Sequence, residues 1–299
     1  YQAVRRGASP LAAIAASLLL IVSEHYLRLS GAVMIGLPSI ALSVSSIALL
    51  LVGHRHTLPL VVSAALMALA LQTKLMAGLA IPGVIIYLLV RERSGAPNGQ
   101  AEAGSTNRLT HLALWIAVLI LVFLTTGFVT NSLRIDLLLD PHFGGQIRTV
   151  PQMVGDGIAF VRSFAEQNKL TLAVGLFGVL WAVRRRMIEV LIPAIWFVVG
   201  IVALALHQPI WYHHMLYLMV PLIWLCGYGV DAWARITHVF LRPIYPLSGQ
   251  IGVRALSAFA MLAVAGTALY LGILYQSLTG HEAQGLSLIH ISEPTRHRR

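Results

Sequence analysis

The chain has 299 residues, of which 58% are apolar and 11% charged, and its formal net charge at pH 7 is +10. With a mean hydropathy of +0.79, a water-soluble fold would lack polar side chains to cover its surface, which excludes a soluble globular protein and points to the bilayer as solvent. The single cysteine, Cys226, lies in an apolar run, so no intrachain disulfide is possible and the residue reads as a small buried hydrophobe.

In chain order, Tyr1 stands where an initiator methionine would, and an upstream portion is expected. A helix crossing the hydrocarbon core needs about 20 apolar residues. Leu11–Val22, Ala32–Val52, Leu109–Thr130, Leu170–Val183, Val190–Leu206, Met215–Trp233 and Val253–Tyr275 meet or approach that length. The run Leu58–Val90 is too long for one span and carries Lys74 at its centre, between Gln72-Thr73 and Leu75. A lysine at mid-membrane costs about 2.5–3.5 kcal/mol on insertion scales. Two short helices meeting at an outer turn around Lys74 avoid that cost, giving an all-α, polytopic bundle of about nine spans.

Nine spans also sort the charges. Arg5, Arg6, Arg55, Arg91, Arg93, Arg108, the Arg184–Arg186 triplet, Arg235, Arg242 and Arg254 fall on one side, which the positive-inside rule makes cytoplasmic. Arg28, Lys74, Arg134, Arg148, Arg162 and Lys169 fall on the other, four of them in one long loop. The expected organisation is an N-terminal helical group over residues 1–93, a flexible cytoplasmic linker over 94–108 and a C-terminal helical group over 109–280. Within the outer loop 131–169, Met153, Val154, Ile158, Val161 and Phe164 recur at helical spacing. They predict an interfacial helix with Phe160 and Phe164 toward lipid and Arg162 near headgroups, with an ordinary connector as the alternative. Leu286–Arg296 reads as the translation of a sequencing-library adapter, and residues 286–299 are set aside.

Chemistry concentrates at the outer ends of the helices. His207-Gln-Pro-Ile-Trp-Tyr-His-His214 joins hydrogen-bonding imidazoles to the flat faces of Trp211 and Tyr212, the combination that recognises sugar hydroxyls and ring C–H groups. Trp211 and Tyr217 also fit an aromatic belt that only anchors helix ends. Asp136, Asp140 and His142 could hold a divalent ion such as Mg2+ or Mn2+, although solvated loop charges are the default reading and no metal site is assigned.

Gln72-Thr-Lys-Leu75 between short apolar helices, and His207–His214 leading into a helix with Pro221 and Gly227-Tyr-Gly229, together resemble glycosyltransferase family 39. That group includes dolichyl-phosphate-mannose protein mannosyltransferases and the bacterial lipid A aminoarabinose transferase, all of the GT-C fold. The resemblance spans most of residues 1–280 and implies inverting transfer of a sugar from a polyprenyl-phosphate carrier to an acceptor on the extracytoplasmic face of the cell membrane. It also implies a GT-C-like bundle, with a lipid-linked sugar donor and membrane lipids as partners and no nucleic acid.

Under the resemblance Lys74 matches an outer-face lysine that neutralises the carrier's phosphate, the alternative being a lysine that snorkels to headgroups. His207, Trp211, Tyr212, His213 and His214 would contact sugar or phosphate. A metal-ligand role for His213 and His214 is weaker, because neighbouring imidazoles on an α-helix point about 100 degrees apart. The family's principal acidic residues would precede Tyr1, and Gly36 in Val33-Met-Ile-Gly-Leu-Pro38 stands where many relatives carry an acid. Glu24 is the remaining candidate base, unless it only pairs with Arg28 one helical turn on. Two other classes stay open: a transporter or flippase, and an O-antigen polymerase or ligase that would depend on Arg134, His142 and Arg148.

Overall fold

The computed structural model describes residues 1–23, 26, 36–53, 56–91, 101–132, 150–206 and 212–241. Those residues are helical, with no strand among them. The helices are α1 (Gln2–Gly7), α2 (Pro10–Val22), α3 (Gly36–Gly53), α4 (Thr57–Thr73), α5 (Ile81–Val90), α6 (Ala101–Val129), α7 (Val150–Gln167), α8 (Lys169–Arg184), α9 (Leu191–Leu206) and α10 (Met215–Leu241). Among the described residues, four stretches are long and apolar enough to cross a membrane: Gly36–Gly53, Leu109–Val129, Ile188–Leu206 and Met215–Thr237. Pro10–Val22, Thr57–Thr73 and Leu75–Val90 are shorter apolar helices. An all-helical membrane protein follows. The proposed span Val253–Tyr275 lies outside the described residues.

The apolar window of α10 is buried along its whole length, which makes it the central helix, packed by α2, α8 and α9. Lipid tails are as apolar as leucine, so burial of apolar area does not draw helices together in a bilayer; close backbone approach does. Glycines on α8 and α10 supply that approach. A Cβ on Gly229 would come within 2.5 Å of the Val174 carbonyl oxygen, and one on Gly178 would meet Leu225 O and lie 2.6 Å from the Gly229 nitrogen. Together with the bond from Cys226 Sγ to Thr171 O (3.2 Å), this register sets α8 and α10 side by side.

A second group, α3, α4 and α6, is held by buried hydroxyls. Ser46 Oγ donates to Ser63 O (2.7 Å), and Trp115 Nε1 donates to Ser63 Oγ (3.2 Å). Ser39, Ser43, Ser46 and Ser63 are all buried; spaced by three and four residues, the first three share one face of α3.

Two expectations are corrected here. Residues 101–107, assigned to the flexible linker, continue the helix of α6 down to Ala101; once the long apolar run has nucleated a helix, extension through Ala101-Glu-Ala103 adds a hydrogen bond per residue fixed. Phe160 and Phe164 do not face lipid. Phe164 is 1% exposed and lies 6.4 Å from the Phe197 ring of α9, and Phe160 packs against the core. The amphipathic helix α7 turns its apolar face onto α9 and leaves Arg162 outside, where Arg162 Nε pairs with Glu166 Oε1 at 2.9 Å.

Candidate functional site

The helix α4 ends at Thr73, and Lys74 takes an extended conformation (φ −162°, ψ 124°) before a 3-10 turn over Leu75–Ala80. Its backbone is tied on both sides. Lys74 N donates to Ala70 O (2.9 Å), and Lys74 O accepts from Ala77 N (3.0 Å). Ser39 Oγ of α3 donates to Ala70 O (3.1 Å) and reaches Lys74 O at 3.4 Å. These bonds hold the break in place, so the lysine side chain leaves from a fixed point.

The ammonium of Lys74 lies 5.9 Å from the centroid of the Tyr217 ring, on the first turns of α10, within the range of cation–π attraction. Just before α10, Tyr212–His214 forms a 3-10 turn, and the His213 and His214 rings meet edge to face with centroids 4.5 Å apart. The expected 100-degree divergence of an α-helix does not apply, because this turn precedes the helix and folds the two rings together. His214 is buried, and His213 is half-buried.

The electrostatics follow from that geometry. Burial lowers the Lys74 amine below its usual range. His213 is pushed down to about 4, first by burial and then by the charge of Lys74. At neutral pH His213 is therefore a neutral imidazole beside a cation, able to donate at one nitrogen and accept at the other. Among the described residues, no carboxylate forms an ion pair with Lys74.

No protein-family model matches this chain, and neither does any curated protein or solved structure.

Of the residues singled out from the sequence, the structure brings together Lys74, His213 and, in ring contact with it, His214. Glu24, His207, Trp211, Asp136, Asp140 and His142 lie outside the described residues, and of Tyr212 only the backbone is described. Among the described residues, no three His, Cys, Asp or Glu side chains gather as metal ligands.

Three further side chains join the site. Gln72 Nε2 donates to Phe123 O (2.7 Å) and Gln72 Oε1 accepts from Ser132 Oγ (2.8 Å), tying the C-terminus of α6 beside Lys74. Tyr217 contributes its ring, and its hydroxyl is buried on the side of Ser39. Ser39 holds the Lys74 turn. The helical spacing of Ser39, Ser43 and Ser46 in an apolar span was a readable sign of a buried polar seam; nothing local in the sequence marks Ser132.

Chemically, the cluster offers at one end of the bundle one cation, the neutral imidazole of His213 packed against the His214 ring, and the buried Tyr217 ring beside the ammonium. The other end carries Arg6, which donates to Val52 O (3.3 Å), and Asp231, which accepts from Ser9 N (3.0 Å) and pairs with Arg235 Nε at 2.6 Å. Arg6 and Arg235 are thus bonded to a carbonyl and an acid, whereas Lys74 meets an aromatic ring.

Proposed function

We propose that this chain is an integral membrane glycosyltransferase that moves a sugar from a polyprenyl-phosphate carrier to a lipid, glycan or protein acceptor on the extracytoplasmic face of the cell membrane. The observation that supports it is the convergence of Lys74 and His213 at one end of the helices, with an aromatic ring beneath the ammonium. A sugar phosphate needs a cation for its phosphate and neutral donors and acceptors for its hydroxyls, which Lys74 and His213 would supply, and a flat apolar face for its ring, a role left to Trp211 and Tyr212 because the Tyr217 ring is buried.

In the proposed step the acceptor oxygen attacks the anomeric carbon from the face opposite the phosphate. The new bond from acceptor oxygen to anomeric carbon forms as the bond from that carbon to the phosphate oxygen breaks, with inversion. The bonding pair leaves on the phosphate, whose growing charge Lys74 stabilises. The acceptor proton passes to a carboxylate, for which Glu24 is the candidate in this sequence. His213 and His214 hold the sugar or the phosphate. About nine spans in a GT-C-like arrangement belong to this reading, with His207, Trp211 and Tyr212 completing the sugar contacts.

The test is glycosyl transfer by the full-length protein in membranes. Lys74→Ala is expected to lower transfer by about 10²–10³-fold, the usual loss for one group stabilising a developing anion, and His214→Ala also lowers it. Arg148→Ala leaves it within a few fold. Loss confined to Arg148→Ala indicates a polymerase or ligase instead, and a transport signal that survives both Lys74→Ala and His214→Ala indicates a flippase.

A further inference from the structure

The C-terminus of α8 ends in Arg184, Arg185 and Arg186, all exposed. Met187 N donates to Ala182 O (2.9 Å) and Arg186 N donates to Val183 O (2.9 Å), the paired bonds of a Schellman turn. That turn requires a left-handed residue, and Arg186 fills it with φ 55°. Glycine takes this position at no steric cost and asparagine tolerates it. The chain follows that preference at the end of α6, where Asn131 (φ 52°) closes the same pattern of bonds: Asn131 N to Phe128 O at 3.1 Å and Ser132 N to Gly127 O at 2.9 Å. Arginine at the equivalent place in α8 keeps backbone strain that a glycine would release, and retained strain of this kind points to a use for the side chain.

The surroundings identify that use. Arg185 lays its guanidinium over Trp181 at 4.8 Å. Directly below, Leu176, Leu180 and Val183 are exposed on one face of α8, while the opposite face, Gly175, Gly178 and Ala182, is buried, the two glycines against α10. In a membrane protein that exposed stripe meets acyl chains, so the arginines stand at the level where headgroups begin. None of the three forms an ion pair among the described residues.

We propose that the end of α8 is a binding site for an anionic phospholipid, with Arg184, Arg185 and Arg186 on the headgroup phosphate and the Leu176–Leu180–Val183 stripe along an acyl chain. This site is independent of glycosyl transfer and lies at the opposite end of α8 from Lys169.

The test is native mass spectrometry of the full chain released from detergent with phosphatidylglycerol and phosphatidylcholine, alongside thermal unfolding. The wild type is expected to retain phosphatidylglycerol in preference to phosphatidylcholine. Each arginine removed lowers that preference by about fivefold, in Arg184→Gln, Arg185→Gln and Arg186→Gly. Arg162→Gln, which removes an exposed arginine already paired with Glu166, leaves it unchanged. Arg186→Gly is decisive, because it raises the melting temperature by releasing the left-handed strain while weakening lipid retention, so misfolding does not explain the loss. Equal retention of the two lipids by the wild type overturns the proposal, as does an undiminished preference in the triple variant. Displacement of the lipid by millimolar inorganic phosphate also overturns it, since the acyl stripe would then contribute nothing.

Discussion

Lys74 holds its ammonium 5.9 Å from the centre of the Tyr217 ring, so the break between α4 and α5 sits against the first turns of the central helix. This contact is one of those that join the two helical groups of the bundle, and it lies beside His213. The consequences are measurable without knowing the substrate.

The first concerns the imidazole. Lys74→Met removes the smaller of the two causes that depress His213, whose pKa is about 4. The expected result is a rise toward the usual value near 6.5 that stops short of it, because burial remains. Titration of labelled histidine by NMR in detergent micelles reads this directly. No change on removing Lys74 contradicts the placement of the two side chains.

Stability should respond to the same group. The folded-state pKa of His213 is depressed, so between pH 6.5 and about 4 the unfolded chain takes up a proton that the folded chain refuses. Stability contributed by the neutral imidazole is complete above pH 6.5, falls as pH drops through that window and levels below about 4. His213 is half exposed, so solvent screening keeps the effect modest. Thermal unfolding across the window should show a smaller decline for His213→Gln than for the wild type.

Much of this was legible in advance, for reasons that can be named. The cost of a charge at mid-membrane is large compared with the cost of ending a helix, and that alone located the break at Lys74. Positions of Arg184–Arg186 and of His213-His214 at helix ends follow from where apolar runs stop. The orientation of α7 was not legible. A periodic apolar face says that Phe160 and Phe164 are covered, but lipid and the flank of α9 are equally apolar covers, and only the position of Phe197 decides between them. Gln72 and Ser132 are far apart in sequence, and neither carries a local sign of its partner. The end of the linker was not legible either, because its polar composition matches a helix end as well as a coil.

Helix packing gives a further test. Gly229→Ala would place a methyl group 2.5 Å from the Val174 carbonyl oxygen, and the required separation of α8 from α10 is expected to cost about 1–3 kcal/mol. Gly36→Ala meets nothing within 4 Å and should change stability by less than about 0.5 kcal/mol. Unfolding in graded denaturing detergent distinguishes the two; equal effects would mean that α8 and α10 are not in backbone contact.

The buried hydroxyl seam is weaker. Trp115→Phe removes the donor to Ser63 Oγ while Ser46 still serves that hydroxyl. The expected loss is about 0.6 kcal/mol, the average for an interhelical hydrogen bond in a bilayer. A loss several times larger would indicate that Trp115 packs α6 onto α4 mainly by shape.

The most direct measurement of the central claim, that Lys74 and His213 share one site on the extracytoplasmic face, is thiol labelling in intact cells. Cysteine placed at position 74 or 213, in a Cys226→Ser background that keeps a donor to Thr171 O, is treated with a membrane-impermeant reagent. Both positions are predicted to react from outside the cell, and an added polyprenyl-phosphate sugar is predicted to protect both together. Reaction only after the cells are opened, or protection of one position without the other, contradicts the account.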